Sequence, residues 1–225
     1  MAEITRIIRS KRKSIALIIE RDGSLVVRAP LQATDDDILN VVEAKADWIK
    51  TTQEKARKLG PVPVRKRFVD GEEFWYLGKP YPMEIVKGRK TDLYLDGSFR
   101  MSGTTQAKAR LAFESWYKKQ AKAIIPGRAY KLAAQYGFNF QRVRITSART
   151  SWGSCSSRGT LSFSWRLVMA PEAMIDYVIV HELVHLHVKN HSKEFWRQVG
   201  LILPDYKEKR FWLKKNATVL TLDGR

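Results

Sequence analysis

A cluster of histidines is the feature of this sequence best able to support chemistry. All four histidines of the 225-residue chain lie within residues 181–191: His181, His185, His187 and His191. On a helix of about 3.6 residues per turn, His181 and His185 project from one face as a pair. With Glu182 directly after the first, they form the H-E-x-x-H pattern that is typical of zinc hydrolases. The pattern predicts a metal held by His181 and His185, with Glu182 as the general base that takes a proton from the activated water.

A catalytic zinc also needs a third protein ligand, and His191 is the first candidate. His191 can reach the metal only if the chain leaves the helix after His185. Lys189-Asn190 supplies that exit, because asparagine tolerates the left-handed conformation that closes helices. His187 lies about 200° around the helix from His185, so it is expected to point away from the metal. Since some zinc hydrolases use a carboxylate as third ligand, the alternatives are Glu194 and Glu208.

The helix that carries this pattern is expected to run from Pro171 to about Val188. Proline is favoured at the first helical position, and the acid Glu172 complements the helix dipole there. Isoleucine and valine are frequent from residue 173 to residue 180. The pattern therefore predicts a largely buried helix that presents the histidine pair.

The strands before this helix are expected to form the substrate cleft, because an edge strand over the metal can pair with an extended peptide. We predict that Trp152, Gly153 and Ser154 line the cleft, together with Cys155. The commoner role of a cysteine such as Cys155 is that of a small buried thiol, since a fourth protein ligand would close the water position. Side chains that could offer a proton or a charge to a developing oxyanion are Tyr206, Lys207 and Arg210.

Several segments around the histidines resemble the YgjP-like metallopeptidase family, which is similar to the SprT-type and WLM-type zinc proteases. They are residues 149–157 (RTSWGSCSS), 161–167 (LSFSWRL), 175–183 (IDYVIVHEL), 190–192 (NHS) and 195–196 (FW). The resemblance covers most of the chain and is strongest from about residue 142 to residue 213. It implies a zincin-like fold, zinc ligands at His181, His185 and His191, and a catalytic acid/base at Glu182.

The expected fold class is α+β. We predict a β-rich N-terminal subdomain with one helix at residues 1–103 and a zincin-like catalytic subdomain at residues 104–225, together forming one compact unit. In the first part, Asp22-Gly23 indicates a hairpin, and Thr34 caps a helix that stops at Gly60-Pro61. Residues 60–67 are expected to be an exposed linker, and residues 68–101 a small antiparallel meander.

In the second part, a long helix is expected to begin at Thr104 or Thr105. It should reach about Gln135, with an interruption or kink at Pro126-Gly127, and end at Gly137. Alternating residues predict strands within 142–149 and 161–165. Two shorter helices are expected after the histidine cluster, one capped by Ser192 and one within residues 205–213.

Composition limits the classes of protein to be considered. Cys155 is the single cysteine, so the chain can form no internal disulfide, which fits a reducing compartment. The N-terminus has no apolar signal region and no apolar run long enough to cross a bilayer, which leads us to expect a cytoplasmic protein. The net charge of +18 would attract polyanions such as nucleotides or nucleic acid, although solvated basic residues explain it equally well.

Three functional hypotheses follow. The first is a metallopeptidase that binds one zinc per chain and cuts peptides or proteins; histidine ligands also suit other divalent metals. The second keeps the metal site but hydrolyses a phosphoanhydride, for instance in a nucleoside triphosphate. The third is a nucleic-acid-associated protein, or a protease that acts on DNA-bound proteins.

Overall fold

The computed structural model describes residues 3–20, 22–57, 65–86, 93–103 and 106–223 of the chain. Its contacts divide the chain into two compact units, residues 1–63 and residues 64–225. The fold is mixed α and β. Within the described residues, no helix combines the length and the apolar character needed to cross a membrane.

The first unit pairs a three-stranded sheet with two helices. Its elements are β1 (Ile4–Ser10), β2 (Ala16–Ile19), β3 (Leu25–Pro30), α1 (Asp35–Ala44) and α2 (Ala46–Arg57). The central strand β3 pairs with β1 in parallel and with β2 as the expected hairpin around Asp22-Gly23. Their shared core consists of Leu25, Val27, Ala29, Ile38, Val42 and Ile49.

The helical part of this unit differs from the single helix that was expected. Thr34 does cap α1, in a reciprocal capping box with Asp37. The helix then ends at Lys45, whose φ of −116° and ψ of 16° break the helical path before α2 begins. The expected end at Gly60-Pro61 lies outside the described residues.

The second unit contains two sheets. The four-stranded sheet is built from β4 (Glu73–Tyr76), β5 (Lys79–Val86), β6 (Tyr94–Asp96) and β7 (Ser98–Ser102), in the order β4-β5-β7-β6. The three-stranded sheet is built from β8 (Arg142–Thr146), β9 (Gly153–Cys155) and β10 (Thr160–Ser164), in the order β8-β10-β9. The prediction of an antiparallel meander for the first sheet is wrong, because β7 inserts beside β5 and pairs with it in parallel.

Four α-helices complete this unit: α3 (Gln106–Tyr136), α4 (Glu172–Val184), α5 (Lys193–Ile202) and α6 (Tyr206–Asn216). The helix α3 continues through Pro126 without interruption, and Gly137 follows its end with a φ of 71°. The expected start of α3 at Thr104 or Thr105 lies outside the described residues. A short 3-10 helix at Trp165–Met169 connects β10 to α4.

One core joins both sheets of this unit to these helices. The core includes Phe74 and Phe99 of the four-stranded sheet, Phe113 of α3, Phe163 of β10 and Ile179 of α4. The rings of Phe74 and Phe113 stack with centroids 4.0 Å apart. The strands from residue 73 to residue 102 therefore share a core with the histidine-bearing helix and form part of the same unit.

Candidate active site

The helix α4 is buried along most of its length. Its apolar residues include Ile175, Ile179, Val180 and Leu183, each 0% exposed. Among them Glu182 is only 4% exposed, although it is an acid. Burial of a carboxyl group without a paired charge is costly, which makes Glu182 a candidate functional residue.

Two contacts fix the start of α4. Arg128 of α3 donates hydrogen bonds to both carboxylate oxygens of Asp176, at 2.7 and 2.8 Å, and to Glu172 at 2.9 Å. At the turn between β4 and β5, a Cβ on Gly78 would stand 2.6 Å from the Cγ of Pro171. Gly78 therefore packs tightly against Pro171, the residue that precedes the helix, and this contact fixes the position of the helix start relative to the turn.

Three imidazoles converge at the other end of α4. The Nε2 of His191 lies 2.9 Å from the Nε2 of His181 and 3.2 Å from the Nε2 of His185. The chain reaches this arrangement by leaving the helix at Val184, earlier than the expected exit at Lys189-Asn190. Turns at residues 185–187 then lead to His191, which immediately precedes the α5 cap Ser192.

The orientation of His185 is fixed by the turn itself. Its Nδ1 lies 2.9 Å from the carbonyl oxygen of Val188, so this nitrogen carries the proton and donates it to the carbonyl. The lone pair of Nε2 is then directed toward the other two rings. Hydrogen bonding of the outer nitrogen is the usual way in which a ligand histidine is oriented.

Aromatic side chains of α5 and α6 pack against the three imidazoles. The ring of Phe195 contacts all three imidazoles, with centroid distances of 4.4 to 4.8 Å. Trp196 stacks on His191 with ring centroids 5.5 Å apart, and Tyr206 stacks on Trp196 with centroids 5.3 Å apart. His181 depends on this packing, because its Nδ1 is buried without a hydrogen-bond partner among the described residues. Sequence reasoning gave Phe195 and Trp196 no role, although their spacing from Ser192 places them in the first turn of α5.

Burial favours the neutral form of His181 and His191. It lowers the pKa of His181 to about 3, helped by the nearby charges that His185, His191 and Arg210 can carry. Burial also lowers the pKa of His191, with smaller contributions from His185 and Arg210. Neutral imidazole is the form that binds metals, so His181 and His191 need not lose a proton near neutral pH.

The triad fits a metal ion. One nitrogen of each histidine lies within 4.8 Å of the corresponding nitrogen of the other two. Tetrahedral ligands at zinc–nitrogen distances of about 2.0 to 2.1 Å stand roughly 3.3 Å apart, close to the 2.9 and 3.2 Å seen here.

Glu182 lies beside this triad under the edge strand β9. Burial raises the pKa of Glu182 to about 8. The backbone of Gly153 covers the carboxyl group so closely that a Cβ there would stand 2.7 Å from both Cγ and Oε1 of Glu182. Only glycine fits at this position, because the backbone of β9 is in direct contact with the carboxyl group.

A cavity of about 270 Å³ opens over these groups. It is lined by Trp152, Gly153, Tyr177, His181, Glu182 and Arg210, among others. Two of the residues expected in the cleft, Trp152 and Gly153, are therefore in its wall, and Ser154 is the next residue of β9. Tyr206 lines a neighbouring cavity with Lys207 and Arg210.

The other residues considered from the sequence lie apart from the triad or have ordinary roles. His187 packs on the ring of Phe138 at 5.2 Å, away from the other histidines as expected. Glu194 accepts hydrogen bonds from Arg197 and Gln198 on its own helix. Cys155 is partly buried, and burial raises the pKa of its thiol, which keeps it protonated.

Comparisons with known proteins point to the same chemistry. Residues 13–216 match the family model described as "YgjP-like, metallopeptidase domain". Among solved structures, the chain is similar to the metallopeptidase zymogen abylysin of Pyrococcus abyssi, with 26% identity and a TM-score of 0.36 over 38% of this chain and 88% of that one. No curated protein sequence is significantly similar.

Proposed function

Since the chain belongs to the YgjP-like metallopeptidase family and is accordingly a metal-dependent hydrolase, we propose that it is a zinc peptidase with its site at the histidine triad. His181, His185 and His191 bind the metal, and Glu182 is the catalytic acid/base. The observation that carries the proposal is the convergence of the three Nε2 atoms beside a buried carboxyl group. The family match lends no support to a nucleotide or nucleic-acid substrate.

The triad would supply three ligands to a zinc ion, and a catalytic zinc site keeps its fourth position for water. A zinc ion bound there would lower the pKa of a water molecule and polarise the carbonyl group of the substrate. The ordered Nδ1–Val188 hydrogen bond of His185 and the packing of Phe195 hold the imidazoles in place beforehand. Little reorganisation is then needed when the metal binds.

Glu182 moves the proton. Its carboxylate accepts a proton from the attacking water and then gives it to the leaving amine of the cleaved peptide bond. Burial raises the pKa of this carboxyl group to about 8 in the protein alone, and the positive charge of a bound zinc ion would lower it toward neutrality, where the group can take up and return a proton. The cover of Gly153 excludes water from one side of this group.

The edge strand β9 supplies a binding surface for an extended peptide. It pairs with β10 on one side, and among the described residues no strand pairs with its other side. Trp152 and Gly153 line the cavity that also contains His181 and Glu182. A peptide that adds to this edge by main-chain hydrogen bonds would lie across the triad.

The test is the metal content of protein purified without an affinity tag, for wild type, His185→Ala and the control His187→Ala. We expect about one zinc per chain in wild type, as a three-histidine site would hold. Zinc should be absent from His185→Ala and retained in His187→Ala, whose ring packs on Phe138. Cleavage of mixed peptide libraries, followed by mass spectrometry, should show the same dependence. Equal zinc in all three proteins, or a metal-loaded protein that cuts no peptide, contradicts the proposal.

A further inference from the structure

A second cavity adjoins the candidate active site. It has a volume of about 370 Å³ and is formed by residues 148–152, by Ser164 and Arg166, and by Ala217, Leu220, Thr221 and Asp223. Trp152 lines both this cavity and the one above Glu182. The two cavities therefore share a wall, and a peptide lying along β9 would continue from one toward the other.

Positive charge exceeds negative charge in this second cavity. Two arginines that line the cavity approach the carboxylate of Asp223: the Nη2 of Arg166 lies 3.4 Å away and the Nε of Arg149 lies 3.7 Å away. Arg110, from outside the cavity wall, forms an ion pair with the same carboxylate. Glu114 also acts on Arg166, but it is paired with Lys118 at 2.8 Å. Among the described residues, one carboxylate thus faces three guanidinium groups, which leaves this cluster with an excess of positive charge.

Arg166 is the buried member of this cluster. Its side chain is 7% exposed, and its Nε is buried without a hydrogen-bond partner among the described residues. Its Nη1 donates to the backbone carbonyls of Ser147 and Ala148 at 3.2 and 3.3 Å. Burial lowers the pKa of Arg166; the negative charge of Asp223 opposes this, and the positive charge of Arg149 adds to it more weakly than Asp223 opposes it. A buried cation that is repelled by its neighbour is stabilised by an additional anion.

Arg149 is the accessible member, with 63% of its side chain exposed. It stands at the mouth of the cavity, three residues before Trp152 in the chain. Guanidinium groups bind carboxylates through two parallel hydrogen bonds, which gives both strength and direction. Arg149 can therefore take up a second carboxylate while Arg110 and Arg166 hold Asp223.

We propose that this cavity is a subsite for a carboxylate of the peptide substrate, so that the enzyme prefers substrates with an acidic group a few residues from the cleaved bond. The carboxylate comes from an acidic side chain or from the C-terminus of the substrate. The inference rests on the proposed function, because it assumes a peptide bound along β9. An extended peptide advances about 3.3 Å per residue, so a carboxylate two to four residues from the cleaved bond spans roughly 7 to 13 Å.

Direct binding tests the subsite without any cleavage. N-acetylglutamate amide, glutarate and inorganic phosphate are titrated separately into the full, zinc-loaded chain, and the amide NMR signals of residues 148–152 are followed. We expect saturable shifts with both carboxylates, and about tenfold weaker binding in Arg149→Gln, as for the loss of one charged hydrogen bond. Arg144→Gln is the matched control, because it removes the same charge from β8, at the opposite edge of the sheet.

Cleavage then distinguishes the sources of the carboxylate. Three octapeptide libraries are compared: one with a glutamate, one with glutamine in its place, and one with no acidic side chain but a free C-terminus; the first two are blocked at both ends. The glutamate or free-C-terminus library should be cut with at least about tenfold higher kcat/KM than the glutamine library, and Arg149→Gln should remove this preference.

The outcomes separate the two proposals. No shift with either carboxylate, a response to phosphate alone, or equal cutting of all libraries overturns the subsite and leaves the peptidase proposal standing. Carboxylate binding that depends on Arg149, with no library cut, supports the anion site and contradicts the peptidase proposal. Equal weakening in Arg149→Gln and Arg144→Gln indicates general charge attraction and overturns the subsite.

Discussion

Gly153 of β9 lies directly against the carboxyl group of Glu182 on α4, with room for a hydrogen but not for a methyl group. A Cβ at residue 153 would stand 2.7 Å from two atoms of the Glu182 side chain, well inside van der Waals contact. The strand that we propose binds the substrate therefore also sets the position of the proposed catalytic carboxyl group. A change in one necessarily displaces the other.

This contact predicts the effect of Gly153→Ala. The added methyl group should displace Glu182 by about 1 Å and reduce kcat by about 100-fold, because general-base catalysis depends on that position. Zinc content should be unchanged, since the three atoms nearest to the added Cβ all belong to Glu182 and not to a histidine. The control is Gly127→Ala on α3, where a Cβ meets nothing within 4 Å and activity should be retained. Activity of Gly153→Ala at the wild-type level would contradict this view of the site.

Glu182→Gln should separate metal binding from catalysis. The amide keeps the size of the side chain but cannot accept a proton, so we expect kcat to fall by about 100-fold to 10,000-fold with zinc retained. Steady-state peptide cleavage and elemental analysis measure the two quantities. Glu194→Gln, which changes an exposed acid on α5 paired with Arg197, should cut peptides at nearly the wild-type rate. Turnover by Glu182→Gln equal to that of Glu194→Gln would refute the assigned role.

The stacking of Trp196 on His191 predicts that a substitution at Trp196, which is not itself a proposed ligand, weakens metal binding. Trp196→Leu removes the ring that stacks on His191 at 5.5 Å, so His191 should lose its fixed orientation. We expect zinc affinity to fall by about 10-fold to 100-fold, as for other groups that orient ligands. Competition with a chromogenic chelator measures the affinity. Phe211→Leu, at a half-exposed aromatic residue of α6, is the control and should bind zinc as wild type does.

Arg128 should contribute to stability through α4. Arg128→Gln breaks the two hydrogen bonds to Asp176 and the one to Glu172, and it leaves Asp176 partly buried without its cation. The free energy of unfolding should decrease by about 1 to 3 kcal/mol. Urea denaturation measures it, with Lys131→Gln, an exposed change one turn further along α3, as the control. A midpoint equal to that of Lys131→Gln would show that Arg128 does not hold α4 in place.

The arginine cluster predicts a pH-dependent contribution from Asp223. Burial alone would raise the pKa of Asp223, but the hydrogen bond and charge of Arg110, with the charges of Arg149 and Arg166, hold it below its ordinary value of 3.8. A lowered carboxyl pKa in the folded state stabilises the fold above the unfolded-state value and loses that effect as pH falls through the folded-state value.

The difference in unfolding free energy between wild type and Asp223→Asn should therefore be constant above about pH 5 and shrink below about pH 4. Urea denaturation curves of both proteins, recorded at several pH values across this range, measure the difference. A difference that grows on acidification would have the opposite sign and would show that the carboxyl group is destabilised in the fold.

Sequence reasoning succeeded where the determining interactions are local. The four-residue spacing of His181 and His185, the cap at Thr34 and the hairpin at Asp22-Gly23 all depend on neighbouring residues. It failed for the end of a helix and for the pairing of two strands, because residue spacing alone does not determine either. The exit of α4 at Val184 depends on a turn closed by the His185–Val188 hydrogen bond, and the parallel pairing of β5 with β7 depends on strand order.

The second cavity could not be predicted for the same reason. Arg166 and Asp223 are 57 residues apart in the chain, and Arg110 and Asp223 are 113 residues apart. No periodicity in the sequence relates positions so distant. Only the packing of the C-terminal residues beside Trp152 brings them together.

The short distance along the chain between His181 and His191 has a consequence for how the protein folds. The loop closed by the three imidazoles is brief, so bringing the ligands together costs little chain entropy. The cover over Glu182 comes from β9, nearly thirty residues earlier, and needs β10 as its partner. Contacts of low sequence separation form first in general. We therefore expect metal capture to precede closure of the substrate cleft during folding, so that the nascent chain acquires its metal before it acquires its activity.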